Sequence, residues 1–172
     1  MSDNYAVING NRIKLTEEQV EALGVKVKKK RRNPFERDRA HNEYYYIIAE
    51  NQLDTYTDMS DAVDDRLYSV CNYFNDKSFA NQVALHQLLY RKLLKFSYDN
   101  ECEDTAEWNG YSYHFYIRYE YNDGVDESAL KVAATVMNKS FNEVYFSSND
   151  AAFRAIREVV KPFIEEHPEF VW

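Results

Sequence analysis

The feature that most constrains the fold is a pattern that occurs twice along the chain. Two stretches, "NYFNDKSFANQVALHQLL" from Asn72 and "VYFSSNDAAFRAIREVV" from Val144, each pass from Tyr-Phe through polar capping residues into a helical pattern, 72 residues apart. An aromatic run precedes each stretch, "EYYYIIA" from Glu43 and "YSYHFYIRYEY" from Tyr111, and a second β-prone run follows each aromatic run. The pattern predicts two β-β-β-α halves. The alternative is a chance likeness between two strand–helix junctions.

Two such halves predict an α+β fold, in which antiparallel sheets carry two long helices. We expect the first half at residues 43–100 and the second at residues 101–172, and the pattern is compatible with one shared sheet or with two. The chain has 172 residues and is 45% apolar, which is enough to bury one good core or two small ones.

A small unit precedes these halves. The stretch "YAVINGNRIKL" predicts a hairpin that turns at Asn9, Gly10 and Asn11, because these residues tolerate positive φ. Thr16 and Gln19 then have the spacing of a helix-capping box. We expect a hairpin–helix unit at residues 1–24 and a basic arm at residues 25–42.

Apolar periodicity assigns faces within the predicted elements. The strand from Tyr111 alternates so that one set is expected on the core face, namely Tyr111, Tyr113, Phe115, Ile117, Tyr119 and Tyr121. The final helix is expected to turn one stripe inward, namely Ala152, Ile156, Val159, Val160 and Phe163. Pro162 is expected to kink this helix or to begin a second short turn, because proline removes an amide and crowds the carbonyl of Glu158. The ending "HPEFVW" is interpreted as a docking anchor on the core.

Charge is divided unevenly along the chain. The stretch "VKVKKKRRNPFER", Val25 to Arg37, holds seven basic residues in thirteen positions. Residues 1–42 contain ten Lys/Arg and six Asp/Glu, a net of +4, whereas residues 43–172 contain eleven and twenty-three, a net of −12, which together make −8. Clustered cations attract phosphates through counterion release. The candidate nucleic-acid-binding residues are therefore Lys28, Lys29, Lys30, Arg31, Arg32 and Arg37, and the alternative is a solvated linker.

Acidic residues cluster in two connections of the predicted body. The first cluster is a candidate partner-binding surface, formed by Asp54, Asp58, Asp61, Asp64 and Asp65. The second lies between the halves and contains Asp99, Glu101, Glu103, Asp104 and Glu107. Carboxylates on a rigid body can match a basic groove of another protein and speed association with it. The alternative is that both clusters are solvated loops that keep the chain soluble.

The sequence contains no recognisable catalytic motif. The four glycines form neither a phosphate-binding loop nor a dinucleotide fingerprint, and the four histidines have no partner at zinc-ligand spacing. His86 lies on a predicted helix stripe and is interpreted as a hydrogen-bonded core residue. We therefore predict a protein that is not an enzyme and needs no cofactor and no metal. The alternative is a nucleophile that only the fold would bring to a histidine.

The sequence favours a soluble, cytoplasmic protein. The stretch "MSDNYAVING" lacks the apolar core of a signal peptide, and no apolar run approaches the roughly 20 residues of a membrane span. Cys71 and Cys102 lie too far apart for a metal knuckle, and we expect both to be free thiols in a reducing compartment.

A resemblance that extends over nearly the whole chain is carried by five stretches, in chain order: "VINGNRIKLTEEQVEALGV", "NPFER", "YYYI", "RLYSVCNYFNDKSFANQVALHQLLYRKLLKFSYDNE", and the ending "VYFSS" followed after one residue by "DAAFRAIREVVKPFIEEHPEFVW". Together they resemble a family of small accessory proteins from phages and prophages of gut Firmicutes. The functional class associated with that family is the anti-CRISPR proteins that inhibit type II-A Cas9. The resemblance brings no catalytic residues with it.

The resemblance implies a phage-encoded, non-enzymatic protein of the bacterial cytoplasm that binds a Cas9–guide RNA complex and blocks DNA binding or cleavage. On this hypothesis the acidic body engages the positively charged channel of Cas9, and the basic arm contacts guide RNA or DNA. Two alternatives remain open. The chain is a phage DNA-binding accessory protein that uses the arm directly, or it is an enzyme that destroys a defence signal.

Overall fold

The structure is a computed structural model that describes residues 5–8, 11–16, 19, 23, 33–37, 41–120 and 129–172. The chain forms two compact units, Met1–Asn33 and Pro34–Trp172. The boundary falls inside the segment predicted as one arm, because residues 34–37 belong to the second unit. The ring of Phe35 lies 5.2 Å from that of Phe74, and the carbonyl of Pro34 accepts a hydrogen bond from the amide of Asn75 at 2.9 Å.

The first unit contains the predicted hairpin. Strand β1 (Tyr5–Ile8) pairs antiparallel with β2 (Asn11–Lys14). Ile8 lies opposite Asn11 in this register, so two residues connect the strands. A connection of that length is the one for which Asn and Gly are favoured. The turn residues 9 and 10 themselves lie outside the described part of the chain.

The capping box that follows the hairpin is also confirmed. The amide of Thr16 donates to Oε1 of Gln19 at 2.9 Å, and the amide of Gln19 donates to Oγ1 of Thr16 at 3.3 Å. The amide of Leu23 donates to the carbonyl of Gln19 at 3.2 Å, which is the i to i−4 spacing of an α-helical turn. Residue 24, the predicted end of the hairpin–helix unit, is outside the described residues.

The first half of the second unit combines a hairpin with two helices. Its elements are β3 (Glu43–Ile47), β4 (Leu53–Thr57), α1 (Ala62–Ser69) and α2 (Lys77–Asp99). β3 and β4 are antiparallel. Phe74 adds one residue of a third strand, because its amide and carbonyl exchange hydrogen bonds with Tyr45 at 2.9 and 2.7 Å. The carboxylate of Asp76 begins α2 by accepting a hydrogen bond from the amide of Phe79 at 3.0 Å.

The second half repeats this arrangement. Its elements are β5 (His114–Glu120), β6 (Ala129–Thr135), α3 (Asn149–Ala155), a π-helical turn (Ile156–Val160) and α4 (Lys161–Glu166). β5 and β6 are antiparallel. The amide of Phe146 donates to the carbonyl of Phe115 at 2.7 Å, so the second Tyr-Phe pair also lies beside a hairpin. Ser148 begins α3 by accepting from the amide of Ala151 at 3.1 Å.

The two halves also resemble each other in a second contact. In each half, the residue after the Tyr-Phe pair donates a backbone hydrogen bond to a segment from earlier in the chain. In the second half, the amide of Ser147 donates to the carbonyl of Cys102 at 3.0 Å, as the amide of Asn75 does to Pro34 in the first. Tyr44 and His114 immediately precede the residues that bond to Phe74 and Phe146, and both side chains are fully buried. The likeness found in the sequence is therefore also a likeness of strand pairing.

A short helix of the first half has no counterpart in the equivalent described segment of the second half. Helix α1 lies between β4 and Tyr73 in the first half, where the sequence was interpreted as an acidic connection. Residues 136–143 occupy the equivalent place in the second half and contain no helix. The predicted order of β-β-β-α is therefore interrupted by a short helix in the first half alone.

The α+β fold class is confirmed. Helix α2 lies against β3 and β4, whereas α3 lies against β5 and β6, and α2 also packs on α3 and on the π-helical turn. Each hairpin forms its own two-stranded sheet. The buried apolar residues of α2, β5 and the final helices form one cluster, which includes Leu89, Leu93, Phe96, Ile117, Phe146, Ile156, Val160 and Phe163. This cluster joins the two halves through a common core.

The helix is interrupted at Pro162, since a π-helical turn precedes this residue and the short helix α4 begins at Lys161 with Pro162 in its first turn, as one of the two predicted outcomes requires. The amide of Lys161 donates to the carbonyl of Ile156, five residues back instead of four. Pro162 has no amide for the carbonyl of Glu158, and its ring would crowd that carbonyl in a regular helix. The wider turn relieves this conflict. The predicted inward stripe is confirmed, since Ala152, Ile156, Val160 and Phe163 are buried and Val159 is half-buried.

The predicted faces of the strand from Tyr111 are only partly right. Ile117 is buried as expected, but Tyr111 and Tyr113 are exposed and precede β5. The alternation puts His114 on the face opposite to the predicted core set, yet this side chain is fully buried. The reason is that Trp108, from the preceding loop, stacks on the imidazole and covers it.

No helix in the described ranges has both the length and the apolar character needed to cross a membrane. Cys71 is exposed, Cys102 is buried, and both are free thiols, as predicted. Burial raises the pKa of the Cys102 thiol above its usual value.

Candidate binding surfaces

The structure turns part of the first acidic cluster inward. Asp58 and Asp64 are fully buried, so the prediction that they belong to a partner-binding surface is wrong. Asp58 accepts hydrogen bonds from Nε of Arg37 at 2.7 Å and from the hydroxyl of Tyr73 at 3.1 Å. Asp64 accepts from the hydroxyl of Tyr44 at 2.9 Å. A carboxylate that leaves water loses several kcal/mol of hydration and requires such donors.

The other three acidic candidates are exposed but are bound within the chain. Asp61 is the N-cap of α1, and its Oδ1 accepts from the amide of Val63 at 2.8 Å. Asp65 pairs with Nη1 of Arg37 at 2.5 Å. Asp54 accepts from the hydroxyl of Tyr46 at 2.9 Å. The first cluster therefore organises the loop and helix that follow β4, and it does not form one free acidic face.

Arg37 is a buried partner of these acids and is not exposed for binding phosphates. Its side chain is 5% exposed, and its guanidinium lies 5.6 and 5.9 Å from the ring centroids of Tyr68 and Tyr73. The hydrogen bond from Arg37 is the main reason that the pKa of Asp58 lies well below its usual range. The hydrogen bond to Asp58 likewise raises the pKa of Arg37. Both groups therefore stay charged, and the nucleic-acid role predicted for Arg37 is wrong.

The remaining candidate cations, Lys28, Lys29, Lys30, Arg31 and Arg32, lie outside the described residues. Their contact with nucleic acid stays a prediction. With Arg37 assigned to the body, the candidate nucleic-acid-binding segment becomes this run of five consecutive cations.

The second acidic cluster contains a buried His–Asp pair. Nδ1 of His114 lies 2.6 Å from Oδ2 of Asp104, and both side chains are almost excluded from solvent. The Trp108 and His114 rings stack with centroids 3.6 Å apart and planes 4° apart, and Tyr145 contacts Trp108 edge-on at 5.1 Å. Nε2 of His114 has no hydrogen-bond partner in the part of the chain that is described. Because the indole covers the imidazole, this pair is closed to a substrate.

A groove opens on the second unit between α2, β5 and the end of the chain. Its volume is about 210 Å³. Its floor consists of buried apolar side chains that belong to the common core, namely Leu89, Leu93, Ile117, Val144 and Phe146. Because these side chains belong to the close-packed core, the floor of the groove is held in place by core packing.

Aromatic rings form the rim of the groove. They come from α2 and from the end of the chain, and they are His86, Tyr90, Phe170 and Trp172. His86 is exposed, contrary to its interpretation as a core residue, and its ring lies 4.8 Å from that of Phe170. Tyr90 and Trp172 are 37% and 38% exposed. Exposed aromatic surface therefore lies at the rim of the groove.

The end of the chain is anchored where it meets the groove. Nε2 of Gln82 donates to the carbonyl of Glu169 at 2.6 Å, and Oε1 of Gln82 accepts from the amide of Val171 at 2.9 Å. The ring of Phe170 lies 5.3 Å from that of Phe163 in the core. The predicted docking of the C-terminal residues is thereby confirmed, and it positions Trp172 on the rim.

The carboxylate of Glu143 bonds to Tyr145, whose ring packs against Trp108 and His114. Glu143 is half-buried and lines the groove beside Val144. Its Oε2 accepts a hydrogen bond from the hydroxyl of Tyr145 at 3.0 Å, and burial raises the pKa of that phenol above its usual value, so the donor stays protonated. Among the described residues, no Lys or Arg lies within ion-pair distance of Glu143.

Sequence reasoning missed both the capping role of the acids and the groove. The signal for α1 was present in "SDAVDD", because Asp61 and Asp64 have the spacing of a capping box ahead of an apolar residue. The signal for the groove was weaker. His86 and Tyr90 lie four residues apart and so share one helix face, but only the fold brings Phe170 and Trp172 to that face.

Comparison of the chain with protein-family models, with curated proteins and with solved structures finds no match. Within the described ranges, no three His, Cys, Asp or Glu side chains come together as a metal site.

Proposed function

We propose that the chain is a phage-encoded binding protein that inhibits a type II-A Cas9 loaded with guide RNA, and that it acts by occupying the nucleoprotein, without chemistry on it. The target comes from the sequence resemblance to phage accessory proteins. The observation that supports binding as the mode of action is the groove, with its buried apolar floor and its exposed aromatic rim. Aromatic anchors in such concave surfaces carry much of the energy of protein interfaces.

The charge of the body supports the same proposal. Residues 43–172 contain eleven Lys/Arg and twenty-three Asp/Glu, a net of −12, whereas the channel of Cas9 that holds the heteroduplex is positively charged. Opposite potentials steer association and make its rate depend on salt. Occupation of that channel blocks DNA engagement or the conformational step before cleavage.

The run from Lys28 to Arg32 has a separate role in the proposed complex, which is to bind nucleic acid. It contacts phosphates of guide RNA or DNA that the acidic body repels. The same run favours a second candidate function, a phage DNA-binding accessory protein that needs no Cas protein.

Cleavage of target DNA by guide-loaded Cas9, with and without the purified protein, tests the proposal. We expect cleavage to stop at near-stoichiometric protein. Full cleavage at a large excess would overturn the Cas9 target. A gel shift of the same DNA with the protein alone, repeated at several salt concentrations, detects the accessory function, because phosphate contacts give a steep loss of binding with salt.

Charge reversal tests the arm. Changing Lys28, Lys29, Lys30, Arg31 and Arg32 to Glu is expected to weaken inhibition or DNA binding. The matched control reverses five exposed cations of the body, namely Arg66, Lys77, Arg91, Arg157 and Lys161. Equal effects of the two variants would show that inhibition or DNA binding depends only on the net charge of the chain. The run from Lys28 to Arg32 would then have no specific role.

A further inference from the structure

The loop that leads into the groove carries a highly exposed phenyl ring. Phe141 is 93% exposed, and the next residue, Asn142, already lines the groove. Asn142 has a φ of +62°, a left-handed conformation that asparagine adopts more readily than most residues. The chain therefore passes, within one residue, from a solvated aromatic side chain to the wall of an apolar groove.

Hydrogen bonds within the loop hold this ring in place. Oγ1 of Thr135 accepts from the amide of Asn138 at 3.0 Å, and the amide of Ser140 donates to the hydroxyl of Tyr145 at 2.8 Å. Tyr145 is itself buried, so the segment just before Phe141 is tied to the body. A side chain presented by a preorganised loop loses less conformational freedom on binding than one on a mobile segment.

The groove matches a phenyl ring in size and chemistry. Its volume is about 210 Å³, and an apolar cavity of roughly 150 Å³ is enough to hold benzene. Core side chains such as Leu89 and Leu93 form its floor, and the rings of Tyr90 and Trp172 lie at its rim. Aromatic rings contact one another favourably in offset and edge-to-face arrangements. Phe141 itself stays in solvent, so within one copy the ring does not fill the groove.

We propose that two copies of the chain form a symmetric dimer in which Phe141 of each copy fills the groove of the other. A two-fold interface places one surface patch against the same patch of the second copy. A ring that projects beside a groove can therefore make two equivalent contacts at once.

The area available is sufficient for a small interface. Each ring buries roughly 150–200 Å² and covers a similar area of the groove. The two contacts together reach about half of the roughly 1,200 Å² that the smallest stable interfaces bury. Apolar side chains in the same loop and beside Trp172, Met137 at 76% and Val171 at 67% exposure, supply further area.

The charge of the body opposes this dimer and gives it a distinctive salt dependence. Residues 43–172 contain eleven Lys/Arg and twenty-three Asp/Glu, a net of −12, so two copies repel each other. Salt screens that repulsion, and the dimer becomes tighter as the ionic strength rises. Association with a basic partner such as Cas9 has the opposite dependence. The dimer concerns the protein alone and does not rest on the proposed function; because both use the groove, dimer and Cas9 complex exclude each other.

Sedimentation velocity of the full chain, over a wide range of protein concentrations at low and at high salt, tests the dimer. We expect a monomer–dimer equilibrium in the micromolar range that tightens with salt. Phe141→Ala should raise the dissociation constant about a hundredfold, or about tenfold for each of the two anchors. The matched control is Phe153→Ala, which truncates a 49% exposed phenylalanine of α3 and should change the constant by less than about twofold.

A mixture of two defective variants tests the exchange of rings. Tyr90→Glu places a charge on the rim and blocks the groove but keeps Phe141, whereas Phe141→Ala keeps the groove. Each variant alone should be largely monomeric. The mixture should contain a heterodimer about tenfold tighter than either homodimer, because one ring then meets one intact groove.

Three results would each overturn the dimer: a monomer at high concentration and high salt, equal association of Phe141→Ala and Phe153→Ala, or no gain on mixing. Assembly beyond two copies would also overturn it, since a ring–groove contact that does not close continues into a chain of copies. The Cas9 cleavage assay is read separately. A dimer without inhibition removes the Cas9 target and keeps the dimer, whereas inhibition by a strictly monomeric protein does the reverse.

Discussion

The guanidinium of Arg37 and the carboxylate of Asp58 form a two-pronged ion pair, with Nε at 2.7 Å from Oδ2 and Nη2 at 3.1 Å from Oδ1. The pair joins positions 21 residues apart and fixes the segment that enters the second unit. It also explains how Asp58 can be fully buried. Arg37, the last cation of the basic stretch Val25 to Arg37, belongs to the second unit and neutralises the charge of this aspartate.

Removal of the Arg37 side chain is expected to destabilise the protein strongly. Arg37→Ala leaves Asp58 buried without its cation, and breaking a buried pair from one side costs about 3 kcal/mol or more in the free energy of unfolding. Urea denaturation followed by circular dichroism measures this loss. Arg66→Ala removes an exposed arginine from α1 and should cost less than about 0.5 kcal/mol. Similar losses in the two variants would contradict the assigned role of Arg37.

The same pair predicts sensitivity to acid. The pKa of Asp58 is lower in the folded protein than the value of about 3.9 in an unfolded chain. Its charged form therefore favours folding, so the contribution is complete above about pH 5 and is lost as the pH falls below about 4 towards the folded-state pKa. We expect the stability difference between the unchanged protein and Asp58→Asn to be largest near neutral pH and to shrink on acidification. Urea denaturation at a series of pH values measures this difference, and a difference that does not change with pH would contradict the role of the pair.

The stacking of Trp108 on His114 provides an optical test of the second half. In a Trp172→Phe background, His114→Ala removes the ring beneath the indole and the imidazole that pairs with Asp104. We expect a red shift of the Trp108 emission, together with a loss of about 2 kcal/mol in the free energy of unfolding. His86→Ala in the same background should leave the emission unchanged. An unshifted spectrum for His114→Ala would show that the indole is not held by this contact.

The two helix caps that follow the Tyr-Phe pairs should make similar contributions. Asp76→Ala and Ser148→Ala each remove a side-chain acceptor from a backbone amide, and each is expected to cost about 1 kcal/mol. Thermal or urea unfolding measures both losses. Ser78→Ala changes an exposed residue in the first turn of α2 and should be nearly neutral, so a loss equal to that of Asp76→Ala would argue against capping.

Local chemistry explains the parts of the fold that could be predicted. The hairpin at Tyr5–Lys14, the capping box at Thr16 and the inward stripe of the final helix all depend on neighbours within a few residues of one another. The repeated Tyr-Phe pattern was also visible, since it follows from local order along the chain. The structure confirms the α+β class that these patterns indicated.

The candidate sites depend on residues that are distant in the chain, and here the predictions were less successful. Arg37 looked like part of a phosphate-binding run because its partner, Asp58, is brought to it only by the fold. His114 looked polar-facing because Trp108, which covers it, belongs to a loop with no periodic pattern. The groove likewise forms where α2 meets Trp172, and no local pattern links those two positions.

A chain with two similar halves faces a hazard during folding, because the hairpin of one half can pair with the Tyr-Phe segment of the other. The structure contains a safeguard against such mispairing. Tyr44 and His114 are equivalent in position but have different partners. Tyr44 donates a hydrogen bond to Asp64, in a half that also contains the ion pair of Arg37. His114 pairs with Asp104 and stacks on Trp108. An exchanged pairing would bury charged side chains without the partners that compensate them. These buried polar contacts therefore favour pairing of each hairpin with the Tyr-Phe segment of its own half.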